Sequence, residues 1–111
     1  MKLIVCGGGT GGHIYPALSI ADYFVSQNEN TDVLYIGGKY GIENNIVPSY
    51  GYRFETIDIK GFQRKISKEN IKRVLKSISS MMKMRKIISK EKPDLVIGTG
   101  GYVSGPVIYI A

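Results

Sequence analysis

Twice in this chain a short apolar run ends abruptly in a cluster of glycines, and this repetition constrains the fold more than any other feature. Lys2-Leu3-Ile4-Val5-Cys6 leads into Gly7-Gly8-Gly9-Thr10-Gly11-Gly12-His13. Asp94-Leu95-Val96-Ile97 leads into Gly98-Thr99-Gly100-Gly101-Tyr102-Val103-Ser104-Gly105-Pro106. A brief, uninterrupted apolar run bounded by glycine reads as a strand buried on both faces. After the first cluster, Ala17, Leu18, Ala21, Phe24 and Val25 form one apolar stripe at helical spacing. Pro16 is placed to open that helix and Asn28 to Asn30 to end it. Residues 33–36 predict a second strand stopped by Gly37-Gly38, and residues 42–50 a short helix with Pro48 near its end. Residues 53–59 alternate as a strand near a sheet edge does, with Phe54, Ile57 and Ile59 apolar among charged neighbours. A long helical region covers 69–91 and is closed by Pro93, and residues 103–111 begin another helix.

Strands alternating with helices indicate the α/β class, a Rossmann-like parallel sheet with right-handed crossovers, and the strand order expected is 3-2-1-4. In that order strands one and four are neighbours whose helices leave on opposite faces. Both glycine clusters then converge on the carboxyl edge of the sheet at its switch point, where open α/β sheets bind ligands. The whole of residues 1–111 reads as one domain, without linker, low-complexity stretch or strong internal repeat.

Composition narrows the function classes. At 43% hydrophobic and 22% charged residues, the chain has the material for a core and is not a disordered segment. The single cysteine, Cys6, excludes an internal disulfide framework and a cysteine-cluster zinc site, and ends a buried strand as a structural residue. No apolar run reaches the ~18 residues of a membrane-spanning helix, and the apolar start is too short for a secretory signal, so a cytosolic location is expected. The net charge of +6 is unevenly held: residues 64–92 carry +9 and the remainder −3. A basic limb on a mildly acidic body points to an anionic partner.

The first glycine cluster can serve as a tight structural turn or as a phosphate site. In the latter, backbone N–H groups and the following helix N-terminus face the anion. Five glycines in residues 7–12 exceed what a turn needs and favour phosphate. Gly7, Gly9 and Gly12 also satisfy G-x-G-x-x-G, a weak signal alone. A dinucleotide fold wants an acid near the end of strand two, where this chain has Gly37-Gly38-Lys39, and a P-loop wants Lys-Ser or Lys-Thr after the glycines, which are missing. His13 either satisfies a nearby carbonyl or, directly behind the glycines, acts as a base or a hydrogen-bonding partner of a pyrophosphate. In the second cluster Tyr102 lies within the loop and Ser104 is available as a cap or anion ligand.

Together, Gly-Gly-Gly-Thr-Gly-Gly-His and Gly-Thr-Gly-Gly-Tyr-Val-Ser-Gly-Pro are far more specific than either alone. The pair resembles the N-terminal half of the bacterial peptidoglycan N-acetylglucosaminyltransferases. The likeness extends along the whole chain, including the Gly61-Phe62-Gln63-Arg64 turn. It implies a GT-B arrangement of two Rossmann-like domains facing a cleft. The implied reaction is inverting transfer of N-acetylglucosamine from UDP-N-acetylglucosamine to undecaprenyl-pyrophosphoryl-N-acetylmuramyl-pentapeptide, without a tightly held metal or other cofactor. It also implies that Gly9, Thr10, Gly11, Gly12, Gly100, Gly101, Tyr102 and Ser104 hold the acceptor's pyrophosphate. Thr10, Gly11 and Gly12 further reach the UDP-sugar, and His13 activates or positions the acceptor as the catalytic residue.

In the basic limb, Ile71, Val74, Leu75, Ile78 and Met82 share one helical stripe, and Met81, Met84 and Ile88 a stripe rotated from it. The change near Ser79-Ser80 predicts a kink or two helices. An apolar stripe flanked by Lys68, Lys72, Arg73, Lys76 and Lys83 suits an anionic membrane surface, against the plainer reading of a core helix with a solvated lysine face. In the resembled family this region docks on the cytoplasmic leaflet, which implies a peripheral protein on the inner face of the bacterial cell membrane. Nucleic acid is disfavoured, since residues 64–92 contain no aromatic side chain. Family members are about three times longer, and their C-terminal domain holds most contacts to the uridine. The expectation is therefore a truncated N-terminal domain, inactive alone, or alternatively a non-catalytic acceptor- and membrane-binding subunit of a split transferase.

Overall fold

The computed structural model describes residues 1–8, 11–39, 41–57, 71–100 and 107–108; within the long helix it does not describe the side chains of 71–74, 76, 77 and 80. Four parallel strands, β1 (Lys2–Cys6), β2 (Asp32–Gly38), β3 (Arg53–Ile57) and β4 (Leu95–Gly98), form one sheet in the order β3-β2-β1-β4. The expected order is borne out. Central β1 pairs on both sides, Cys6 lying opposite Ile36 of β2 and Gly98 of β4.

The pleat sends alternate residues to opposite faces, and the two cores follow that alternation. Leu3, Val5, Val33 and Tyr35 pack on one face against Ile14, Ala17, Leu18 and Ala21 of helix α1 (Gly11–Gln27). Ile4, Cys6, Leu34, Ile36 and Ile57 pack on the other against Met84 of the long helix and Val107. Helix α1, which follows β1, and Val107, which follows β4, therefore pack on opposite faces of the sheet.

Several boundaries differ from expectation for identifiable reasons. Helix α1 starts at Gly11, so Pro16 lies inside it instead of opening it; the tertiary bonds to its first turn described below outweigh the proline's local preference. Strand β2 runs through Gly37 and Gly38, which do not stop it because they pair with Thr56 and Ile57 of β3. The short helix divides into α2 (Glu43–Ile46) and a 3-10 turn, Val47–Tyr50. Pro48 has no N–H for an α-helical bond, and Gly51 ends the turn at φ +79°. Helix α3 (Ile71–Glu91) is one helix passing through Ser79-Ser80, which overturns the two-helix alternative of the kink or two helices expected there. Residues 58–59 of the expected third strand, the 61–64 turn, and 103–106 and 109–111 of the last expected helix lie outside the described residues.

A single α3 accommodates both apolar stripes because they occupy different faces of it. Met84 is fully buried, with Met81, Ile87 and Ile88 half-buried around it against the sheet. Leu75, Ile78 and Met82 face outward, 60%, 46% and 62% exposed.

Candidate functional site

Strands β1 and β4 end side by side at the carboxyl edge, and the chain turns at Gly7 and Thr99 immediately beyond them. Thr99 joins the two turns. Its N–H donates to the Cys6 carbonyl at 3.0 Å, and its hydroxyl donates to the His13 carbonyl at 2.5 Å. Its own carbonyl lies 3.2 Å from His13 Nδ1. The Gly8 N–H donates to the Gly100 carbonyl at 3.4 Å. The starts of the two glycine loops are thus laced together, with His13 in the first turn of α1 tied to the second.

Two of the glycines are required by this closeness. Gly100 has φ +125°, where side chains are strained, and a Cβ there would lie 2.5 Å from His13 Nδ1. A Cβ on Gly7 would lie 2.9 Å from the His13 carbonyl and nearer still to the Thr99 hydroxyl. These glycines make room for the histidine and the threonine.

The contact with Thr99 also sets the tautomer of His13. A carbonyl only accepts, so the Nδ1 nitrogen carries the proton in this hydrogen bond. In the neutral ring Nε2 then holds the lone pair, the form a general base requires. One of the two readings of His13, a ring nitrogen that satisfies a nearby carbonyl, is thus met at Nδ1; the other would fall to Nε2.

At the end of β2 the structure adds a group that sequence reasoning missed. Glu43 is fully buried, and its Oε1 accepts the Gly38 N–H at 2.8 Å. Asn44 donates to the carbonyls of Gly38, Lys39 and Gly41, closing the same loop. An acid near this edge could hold a ribose in a dinucleotide fold, but this carboxylate is turned back onto the backbone. Among the described residues no three His, Cys, Asp or Glu side chains lie together to hold a metal.

Of the expected site residues, Gly11, Gly12 and His13 occupy the first turn of α1, and Gly100 occupies the turn after β4. Gly9, Thr10, Gly101, Tyr102 and Ser104 lie outside the described residues, as does Lys68. Ile71, Lys72, Arg73, Val74 and Lys76 lie on α3, with side chains outside the description. Thr99 was not anticipated; its position between two strand-end glycines was the available signal. On the outer side of α3, Met82, Arg85, Lys86 and Ser89 line an open hollow of about 410 Å³.

Residues 3–111 match the family model described as the glycosyltransferase family 28 N-terminal domain. A protein of Clostridioides difficile (strain 630) is 49% identical over all 111 residues, which cover 27% of its length. One of Halalkalibacterium halodurans is 52% identical, again over the whole chain, with 31% of its length covered. Both are named UDP-N-acetylglucosamine--N-acetylmuramyl-(pentapeptide) pyrophosphoryl-undecaprenol N-acetylglucosamine transferase. The crystal structure of Acinetobacter baumannii MurG matches with a TM-score of 0.78 at 28% identity, over 99% of this chain and 32% of that one. The chain therefore spans about a third or less of the length of these relatives.

Proposed function

Given that the chain belongs to glycosyltransferase family 28 through that family's N-terminal domain, we propose that it forms the acceptor-side part of an N-acetylglucosaminyltransferase of peptidoglycan synthesis. The donor is UDP-N-acetylglucosamine and the acceptor the lipid-linked N-acetylmuramyl-pentapeptide, the substrates in the names of its relatives. The observation that carries this reading is the convergence of both glycine loops and His13 on one edge of the sheet.

The chemistry follows from that arrangement. Backbone N–H groups of the two loops, with the N-terminus of α1 behind the first, receive the acceptor's pyrophosphate. His13 Nε2 takes the proton of the acceptor hydroxyl as its oxygen attacks the anomeric carbon. The bond to UDP breaks with its electron pair, and attack from the opposite face inverts the configuration. Residues 1–111 bind and activate the acceptor, while the uridine is held by a second, C-terminal domain of the GT-B arrangement.

The outer stripe of α3 gives this domain its seat on the membrane. Leu75, Ile78 and Met82 are exposed beside Arg85 and Lys86, an apolar strip accompanied by cations, while Lys83 turns to the Glu55 carboxylate of β3. On this reading the protein is peripheral, on the cytoplasmic face, where the lipid-linked acceptor resides.

Assays with the lipid-linked acceptor and UDP-N-acetylglucosamine test the division of labour. The 111-residue chain alone should bind acceptor without turning it over, and robust turnover would refute the division. In a full-length transferase carrying these residues, His13→Gln should lower kcat roughly 100- to 10,000-fold.

A further inference from the structure

A residue outside both glycine loops holds the first of them in shape. Tyr35, in the middle of β2, is completely buried, and its hydroxyl donates to the Gly7 carbonyl at 2.7 Å. The same peptide unit is held at its other end, because the Gly8 N–H donates to the Gly100 carbonyl. A trans peptide is planar and directs its C=O and N–H in opposite directions, and the described residues contain no cis bond. The Gly7–Gly8 peptide therefore bridges β2 on one side and the second glycine loop on the other.

Such a bridge answers a physical problem of this loop. Gly7 must lack a side chain to clear Thr99 and the His13 carbonyl. Two adjacent glycines also make a peptide that rotates easily and loses much conformational freedom when ordered. An anion site gains affinity when its donors are already aligned. The Tyr35 hydroxyl supplies that alignment from a rigid central strand, and its ring is fixed by the core around Leu3, Val5 and Val47 and by Phe54, 5.9 Å away between centroids. Burial and the nearby Glu43 carboxylate raise the phenol's pKa well above its ordinary value, so it keeps the proton it donates.

We propose that Tyr35 is a positioning residue: its hydroxyl pins the Gly7–Gly8 peptide between β2 and the second glycine loop, and so pre-aligns the first loop for a pyrophosphate. The pyrophosphate part rests on the function proposed above, whereas the pinning does not.

Tyr35→Phe tests both parts, since it keeps the ring and deletes the hydrogen bond. Amide exchange in the 111-residue chain reports the pinning, and NMR titration with inorganic pyrophosphate reports the alignment. Exchange at Gly8 should quicken about tenfold or more and pyrophosphate bind roughly tenfold more weakly, the scale of one lost hydrogen bond. Tyr52→Phe, which removes a hydroxyl bonded to Asp22, is the control for general loosening and should leave both readouts unchanged. Wild-type exchange at Gly8 in Tyr35→Phe would overturn the pinning, as would an equal effect from Tyr52→Phe. Unaltered pyrophosphate affinity with quickened exchange would overturn the alignment. Failure of the unsubstituted chain to bind pyrophosphate would instead remove the anion site itself, leaving the exchange result to judge Tyr35.

Discussion

Replacing Gly100 with alanine probes the site at its tightest point. The new methyl group would meet the His13 ring at 2.5 Å, on a backbone whose φ of +125° already disfavours a side chain. The substitution should destabilise the chain by about 1–3 kcal/mol and displace the imidazole. Because His13 is the only histidine, its ring signals in an NMR spectrum are unambiguous. The neutral ring should report the Nδ1–H tautomer in the parent chain and a mixture in Gly100→Ala; unchanged ring shifts in the variant would refute the packing described. At this scale the glycines and His13 were legible in the sequence because each sits beside a strand end in a recognisable cluster. Thr99, Glu43 and Tyr35 were not. The Thr99–His13 bond spans 86 residues and the Tyr35–Gly7 bond 28, and no local pattern announces a contact that only the folded sheet creates.

Helix α3 makes the corresponding point for an element. Its two apolar stripes were visible as sequence periodicity, but which of them meets the sheet was not, because a membrane-facing stripe and a core-facing stripe have the same composition. The packing decides it: Met84 is fully buried and Met82, two residues earlier, is 62% exposed. Opposite outcomes are expected on the two faces. Met84→Ala should lower unfolding free energy by about 2–5 kcal/mol. Leu75→Glu with Met82→Glu should change stability by less than about 0.5 kcal/mol per site, yet abolish cosedimentation with anionic phospholipid vesicles. Binding to neutral and anionic vesicles alike, or retained binding in the double variant, would count against membrane docking through this face.

For the molecule as a whole, the two edges of the sheet are built differently. The turns at Gly7 and Thr99 lie at the carboxyl edge, while an ionic cluster ties the elements together at the amino edge. There Arg53 of β3 bonds Asp32 of β2 and Glu91 at the end of α3 at 2.8–3.1 Å, and Lys2 of β1 also reaches Glu91. The Arg53 hydrogen bonds hold the Glu91 carboxyl down at about 2, below its ordinary 4.5. Its contribution is therefore fully present above about pH 4.5 and is lost as pH falls towards 2. Glu91→Gln should flatten that part of the acid-unfolding curve and lower stability at neutral pH by about 1–2 kcal/mol, a modest figure because Arg53 is half open to water. An acid limb identical to that of the parent chain would show the cluster to be idle. The sheet order was legible from the alternation of strands and helices, but the cluster depends on strand register, which sequence spacing leaves open.

The pairing of β1 with β4 also has a consequence in time. Leu3 and Leu95, partners in the sheet, lie far apart along the chain, so the first leaves the ribosome long before the second. Contacts so distant along the chain form slowly, and Thr99 and Gly100 arrive only with β4. The bonds that Gly8 and His13 make to this turn therefore wait until β4 has been synthesised, so the turn after the first strand takes its final shape long after its own residues have emerged.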